Sequence, residues 1–289
     1  MSKMRKKQIQ RIVSLIMVVL LGLSLIGCGS PEEKLAGNEP ASPDAPQESG
    51  DSKGKEDESS PVDSSAPQET EKPAATKPAN ASESYLTYME AKSELSSFLT
   101  DALASNPDTG LESMSLLGVV MIEIAMLPAS SMGLGQKAAE AGLGFMGAKD
   151  VQYTENGNQY IVTYNSQEGE GFEFKAVYDE AADALVCDVI GDNNEGIYYE
   201  YRKMPFGYVG QVYSFEGDIM TELFKIAVHD KGGVIGLSTD FEKPSALTGS
   251  ESKDFPKDCP QWYAIDGTKF TGVSSAGEEL NFEYIPTPE

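Results

Sequence analysis

The feature that most constrains the fold is a change in hydrophobic period near residue 150. Beyond it, apolar and polar side chains alternate, as where Phe172 and Phe174 flank Glu173. A period of two is typical of strands with one dry and one wet face. Turn sequences such as Asn156-Gly157 separate these segments, and the gaps are too short for parallel crossovers. The sequence therefore predicts an antiparallel meander of about eight to eleven strands.

The preceding region has helical spacing. Tyr88, Leu95 and Leu99 predict a helix over residues 84–105, which ends before Asn106-Pro107 because the residue before proline leaves the helical region.

Two more helices are predicted before the sheet. Residues 111–127 are rich in Leu, Val, Ile and Met, carry Glu112 and Glu123, and predict a buried helix. A looser helix is expected over 134–146. The expected fold class is α+β, with N-terminal helices packed on a curved antiparallel meander sheet.

The N-terminus has the pattern of an export signal. Basic residues precede an apolar run over residues 12–26, namely Lys3, Arg5, Lys6, Lys7 and Arg11. A helix of that length spans about 22 Å, less than the roughly 30 Å core of a bilayer. A secretory signal is therefore favoured over a transmembrane helix.

The four residues Leu25, Ile26, Gly27 and Cys28 follow this run directly. They resemble the lipobox of bacterial lipoproteins, although Ile26 is bulkier than the usual residue at its position. The resemblance implies that residues 1–27 are a signal peptide and that Cys28 carries a diacylglycerol on its sulfur. It also implies that acyl chains anchor the mature protein at the extracytoplasmic face of the cell membrane. The alternative is an uncleaved signal anchor with an incidental cysteine.

Residues 28–83 have the composition of a tether. They hold eight of the 16 prolines and no aromatic residue, whereas all aromatic residues lie from Tyr85 onward. Such a segment buries too little apolar surface to offset its ordering entropy, so we expect disorder. Residues 84–289 then form a single globular domain.

The charge balance limits the partners. The chain has 22 basic and 46 acidic residues, a net charge of −24. Nucleic acid and anionic lipid surfaces both require basic residues, so neither is expected as a partner. The membrane contact is expected only through Cys28, any protein or apolar ligand stays open, and we expect a monomer.

Catalytic patterns are weak throughout. His229 is the only histidine, which excludes two-histidine metal sites, and its neighbour Asp230 points to the opposite face of a strand. Residues 142–147 match G-x-G-x-x-G, but they follow a helix and precede a strand. Residues 250–253 spell S-x-x-K in a polar loop. No cofactor, resident metal or catalytic residue is predicted.

Two weaker sites are left open. The acidic turn at residues 192–196 lacks the spacing of an EF-hand, although weak Ca²⁺ binding there stays possible. Cys187 and Cys259 either form a disulfide, as an exported protein permits, or stay free thiols.

The sequence thus predicts a membrane-anchored, non-enzymatic binding or envelope-associated module. One alternative is a carrier or chaperone that holds a lipid or apolar peptide in a cavity between helices and sheet. A hydrolase of unknown class is the second alternative.

Overall fold

The computed structural model describes residues 77–286. The predictions for the signal peptide, for Leu25, Ile26, Gly27 and Cys28, and for most of the tether lie outside the described residues. No helix within 77–286 is sufficiently long and apolar to cross a membrane.

The first helix, α1, spans Ala81–Ser105 and begins three residues before the predicted start. Asn80 caps it, because its side-chain oxygen accepts a hydrogen bond from Glu83 N at 2.9 Å. This cap extends the helix into the end of the predicted tether.

The region between α1 and the sheet contains short helical elements. A 3₁₀ helix over Glu112–Leu116 leads directly into α2, Leu117–Ala125. A second 3₁₀ helix covers Leu127–Ser131, and α3 covers Gln136–Gly144.

The prediction of one buried helix over 111–127 is wrong. The segment is divided between a 3₁₀ and an α-helix, and the side chains of Leu117 and Val120 are 52% and 53% exposed. The inward face is made by Val119 and Ile122 with Gly118, where a Cβ would lie 2.6 Å from the ring of Phe224. The close approach at Gly118 fixes which side of α2 faces the sheet.

The sheet has eleven strands in sequential order, and every neighbouring pair is antiparallel. The prediction of an α+β domain with an antiparallel meander is confirmed. The strands are β1 Lys149–Asn156, β2 Gln159–Asn165, β3 Gly171–Asp179, β4 Ala184–Gly191, β5 Glu195–Met204, β6 Gly207–Glu216, β7 Ile219–His229, β8 Gly232–Ser238, β9 Gln261–Asp266, β10 Lys269–Val273 and β11 Glu279–Glu283.

One face of the central strands contacts α1 through tyrosines. The ring of Tyr88 stacks on Tyr201 with centroids 4.4 Å apart and meets Tyr199 edge-on at 6.2 Å. Gly210 on β6 pairs with Tyr201 on β5. A Cβ at Gly210 would lie 2.0 Å from the Tyr88 hydroxyl. The glycine therefore leaves the space that this hydroxyl occupies.

The opposite face is covered by residues 239–260, which we call the strap. Gln211 Nε2 donates to Ser245 O at 2.7 Å, and Leu247 N donates to both carboxylate oxygens of Glu200 at 3.2 Å. A small second core lies beneath it, made by Met204, Val209 and Ala227 with Phe206, Leu247 and Phe255. The alternation of dry and wet faces therefore fails on β6 and β8, where side chains on both faces are buried.

Candidate functional site

The two cysteines that the structure describes are both buried and free. Cys187 lies on β4, where its Sγ is 3.4 Å from Tyr199 O, and Cys259 lies in the strap. Burial raises the pKa of the Cys259 thiol to about 11 and that of Cys187 well above its usual value. Neither thiol is therefore a ready nucleophile at neutral pH.

The weak catalytic patterns lie at the ends of helices and strands or in loops. His229 ends β7, and its Nδ1 accepts from Lys231 N at 3.3 Å. Residues 142–147 run from the end of α3 towards β1, as the sequence predicted, and residues 250–253 lie in the strap. Asp192, in the acidic turn, accepts from Gly171 N at 2.9 Å. Among residues 77–286, no three metal-ligating side chains gather.

A buried ion pair joins the first two helices. Lys92 on α1 is 1% exposed, and its Nζ contacts Oε1 of Glu123 on α2. The hydroxyl of Tyr85 donates to the other carboxylate oxygen at 2.7 Å, and the ring of Tyr199 lies 5.4 Å from the amine. Burial lowers the pKa of Lys92 to about 7.

The helical repeat explains why these side chains meet. Tyr85, Tyr88, Lys92 and Ser96 follow at spacings of three and four, so they lie on one side of α1. Lys92 thus lies on the buried face, and Glu123 reaches it from the neighbouring helix. The amine is closed off from solvent, so the pair positions α2 against α1 instead of presenting a reactive group.

A second carboxylate fixes the start of the same segment. Glu112 accepts hydrogen bonds from the hydroxyl of Tyr263 on β9 and from Ser275 Oγ at 2.7 Å and Ser275 N at 3.1 Å. Burial alone would raise the pKa of Glu112, but these hydrogen bonds hold it below its usual value. The carboxylate therefore remains ionised and ties the first turn to the sheet.

The contacts of Glu112 and Glu123 leave an uncharged apolar face of this segment exposed to solvent. We call it the apolar lane, and it consists of Leu111, Met114, Leu117 and Val120 at a spacing of three residues. Their exposed fractions are 84%, 62%, 52% and 53%. Both acidic residues of the segment are engaged away from the lane, so it presents no charge of its own. A contiguous exposed apolar surface is typical of an interaction site.

The outer face of α1 carries the opposite character. Four exposed acidic residues, which we call the acidic row, follow at spacings of seven, four and seven: Glu83, Glu90, Glu94 and Asp101. None of them has a salt-bridge partner among the described residues. Leu86 and Met89 line a shallow depression together with Glu90 and Glu94. Apolar and acidic side chains thus share this helix surface.

The sequence patterns did not predict the residues that position the segment over 112–125, namely Lys92, Glu123 and Glu112. A signal was present, because Lys92 lies four residues after Tyr88 and three before Leu95, within the predicted apolar stripe. A charged residue at such a position predicts a buried partner. No local pattern identifies that partner as Glu123.

No protein-family model, curated protein or solved structure matches this chain. The geometry of the α1–α2 surface is therefore the basis for a functional assignment.

Proposed function

We propose that this chain is an exported lipoprotein, anchored through Cys28, whose globular domain is a non-enzymatic binding module. The observation that carries the binding role is the exposed apolar lane beside α1. The residues that carry the anchor are the signal pattern over 1–27 and the lipobox at Leu25 to Cys28. The proposed anchor would hold the domain near a membrane, and the apolar lane would be available to a partner.

The position of the charged groups supports binding over catalysis. Lys92 and Glu123 form an ion pair with each other. Glu112 accepts hydrogen bonds from Tyr263 and Ser275. The side chains that remain exposed between residues 111 and 125 are those of the apolar lane. An apolar surface contributes binding affinity but supplies no catalytic group. The tyrosine-packed contact between α1 and the sheet also favours a surface site over a ligand stored in the interior.

The tether determines the reach of the module. Residues 28–76 link the proposed anchor to the described domain. A flexible chain of that length has an r.m.s. span of roughly 40 Å, and its prolines and like charges extend it further. The domain would then meet partners within the cell envelope near the membrane.

The anchor is tested by acyl labelling in cells that grow on an alkyne-bearing palmitate. Wild-type protein should take the label and fractionate with membranes, and Cys28→Ala should lose both. Cys259→Ala is the matched control, because it removes a cysteine and leaves the lipobox intact. Undiminished labelling of Cys28→Ala would overturn the anchor.

The binding role is tested by a photoreactive amino acid placed at Met114, within the lane. The same amino acid at Ile219 on β7, which is 68% exposed, serves as the control. We expect a discrete adduct from position 114 that disappears in Leu117→Ser/Val120→Ser and is absent from position 219. No adduct at position 114 would contradict a binding role for the lane.

A further inference from the structure

The contacts of Glu123 place α2 beside α1, so the helical repeat gives the order of the apolar lane and the acidic row across the two helices. Glu123 reaches α1 at Tyr85 and Lys92, so α2 lies on that side of α1. At 100° per residue, Met89 lies about 60° from Lys92, Leu86 about 120°, and the acidic row about 180°.

The α2 side continues the same surface. Val120 lies about 60° from Glu123 around α2, on the side away from Gly118 and the sheet. The order across the surface is therefore acidic row, Leu86 and Met89, Val120, then Leu117. An acidic edge borders an apolar strip along two packed helices.

We infer that this surface binds a cationic amphipathic helix. This inference rests on the proposed binding function and names its partner class. The partner's apolar face would cover the lane with Leu86 and Met89, and its lysine or arginine side chains would pair with the acidic row. An amphipathic helix on an apolar groove is a recurring mode of peptide recognition.

The charge pattern favours this occupant over two others. The acidic row extends over 19 residues, about 27 Å of helix, which matches basic residues spaced at one or two turns on a partner. A bilayer rich in anionic lipid would be repelled by the same carboxylates. A second copy of this chain would bring two acidic rows close together, which is unfavourable.

The test uses the mature chain, residues 28–289, with Cys28→Ser so that it stays in solution. The probe is a fluorescent 18-residue peptide of leucine and lysine in an amphipathic helical pattern, and binding is measured by anisotropy at two salt concentrations. We expect saturable one-site binding that weakens with salt. A leucine–glutamate peptide of the same pattern should not bind.

Variants separate the two halves of the surface. Glu90→Gln/Glu94→Gln should weaken binding about tenfold and reduce its salt dependence. Leu117→Ser/Val120→Ser should weaken binding at least about tenfold and leave the salt dependence unchanged. The matched control, Glu168→Gln/Glu170→Gln, changes the net charge equally at exposed positions in the turn between β2 and β3, and it should bind like the parent.

Several results would overturn the inference. Equal losses in the Glu90/Glu94 and Glu168/Glu170 variants would show non-specific charge attraction. Undiminished binding by Leu117→Ser/Val120→Ser would exclude the lane. A dimer in sedimentation, or flotation with phosphatidylcholine vesicles, that depends on Leu117 and Val120 would assign the lane to a second copy or to a bilayer. If the Met114 adduct forms but the peptide fails to bind, the binding role stands and only this partner class falls.

Discussion

Lys92 illustrates how much one residue determines here. It is the only basic residue of α1, and it lies on the helix's buried face instead of among the exposed acidic residues. A buried ion pair usually adds little net stability, because desolvation offsets the attraction, but loss of one partner is costly. The Lys92–Glu123 pair therefore acts mainly to fix the position of α2.

The tyrosines around this pair differ in whether their hydroxyl groups have a hydrogen-bond partner. The Tyr85 hydroxyl donates to Glu123, whereas within the described residues the buried hydroxyls of Tyr88 and Tyr199 have no hydrogen-bond partner. Tyr199→Phe should leave the free energy of unfolding unchanged or raise it by up to about 1 kcal/mol, because it removes an unpaired polar group. Tyr85→Phe should lower it by about 1–2 kcal/mol, because a hydrogen bond to a carboxylate is lost. Urea unfolding checks both, and a larger loss for Tyr199→Phe would contradict this assignment.

The lowered pKa of Lys92 predicts a dependence of stability on pH. Between its folded value of about 7 and its unfolded value near 10.5, Lys92 binds more protons in the unfolded chain, so its contribution to the free energy of unfolding should rise with pH. The slope from this group is at most about 1.4 kcal/mol per pH unit. Urea unfolding between pH 7 and pH 9 measures it. Comparison with a variant that lacks Lys92 separates its contribution from those of the thiols and tyrosines, whose ionisation in the unfolded chain lowers the free energy of unfolding towards the upper end of this range.

The matched variant for this pH test is Lys92→Met/Glu123→Gln. Glutamine retains an acceptor for the Tyr85 hydroxyl, and methionine fills the space of the lysine stem. Its free energy of unfolding should rise less with pH than that of the wild type. Equal slopes would show that Lys92 does not titrate in this window.

At the scale of elements, α2 and the strap are positioned by their contacts with other elements of the fold. α2 is short and apolar on nearly all sides, so its own sequence does not decide which face is buried. The strap has no strand or α-helix of its own and is held by Glu200, Gln211 and the second core. Both elements should therefore respond to changes in the sheet beneath them.

Gly236 on β8 provides such a test for the strap. A Cβ at this position would lie 2.1 Å from Pro256 O and 3.0 Å from Cys259 Sγ. Gly236→Ala should displace the strap, raise hydrogen exchange over residues 239–254 and lower the free energy of unfolding by about 1–3 kcal/mol. Gly144→Ala is the control, since a Cβ there meets no atom of the described structure within 4 Å. Unchanged exchange in Gly236→Ala would mean that the strap does not rest on β8.

At the scale of the whole molecule, the sheet divides the domain into two sides. Tyr88 of α1 and Gly118 of α2 contact one face, and the strap lies over the other. Cys187 belongs to the core on the α1 side, whereas Cys259 packs against Gly236 on the strap side. Three strands, β5 to β7, also separate β4 from β8.

This arrangement predicts the state of the cysteines, which the sequence left open. Four strand spacings are about 19 Å along the sheet, well beyond the Cα separation of roughly 7 Å that a disulfide tolerates. Iodoacetamide in denaturant, without reductant, should label both Cys187 and Cys259 in the mature Cys28→Ser chain. Under native conditions the buried thiols should react far more slowly. A species that takes label only after reduction would contradict the structure.

The sequence by itself determined the features that depend on neighbouring residues. Alternation with a period of two and frequent turn residues predicted an antiparallel meander, since pleat and hairpin geometry are local properties. Helical spacing likewise predicted α1, because residues three and four apart share a face.

Only the tertiary structure decided which charges are buried and which apolar residues are exposed. Glu112 is fixed by Ser275, 163 residues further along the chain, and Glu200 by Leu247, 47 residues further. The pattern over 111–127 predicted burial because apolar residues usually lie inside, but the contacts of Glu112, Gly118 and Glu123 turn one apolar face outward. Such pairings depend on how distant segments meet, and no local pattern encodes them.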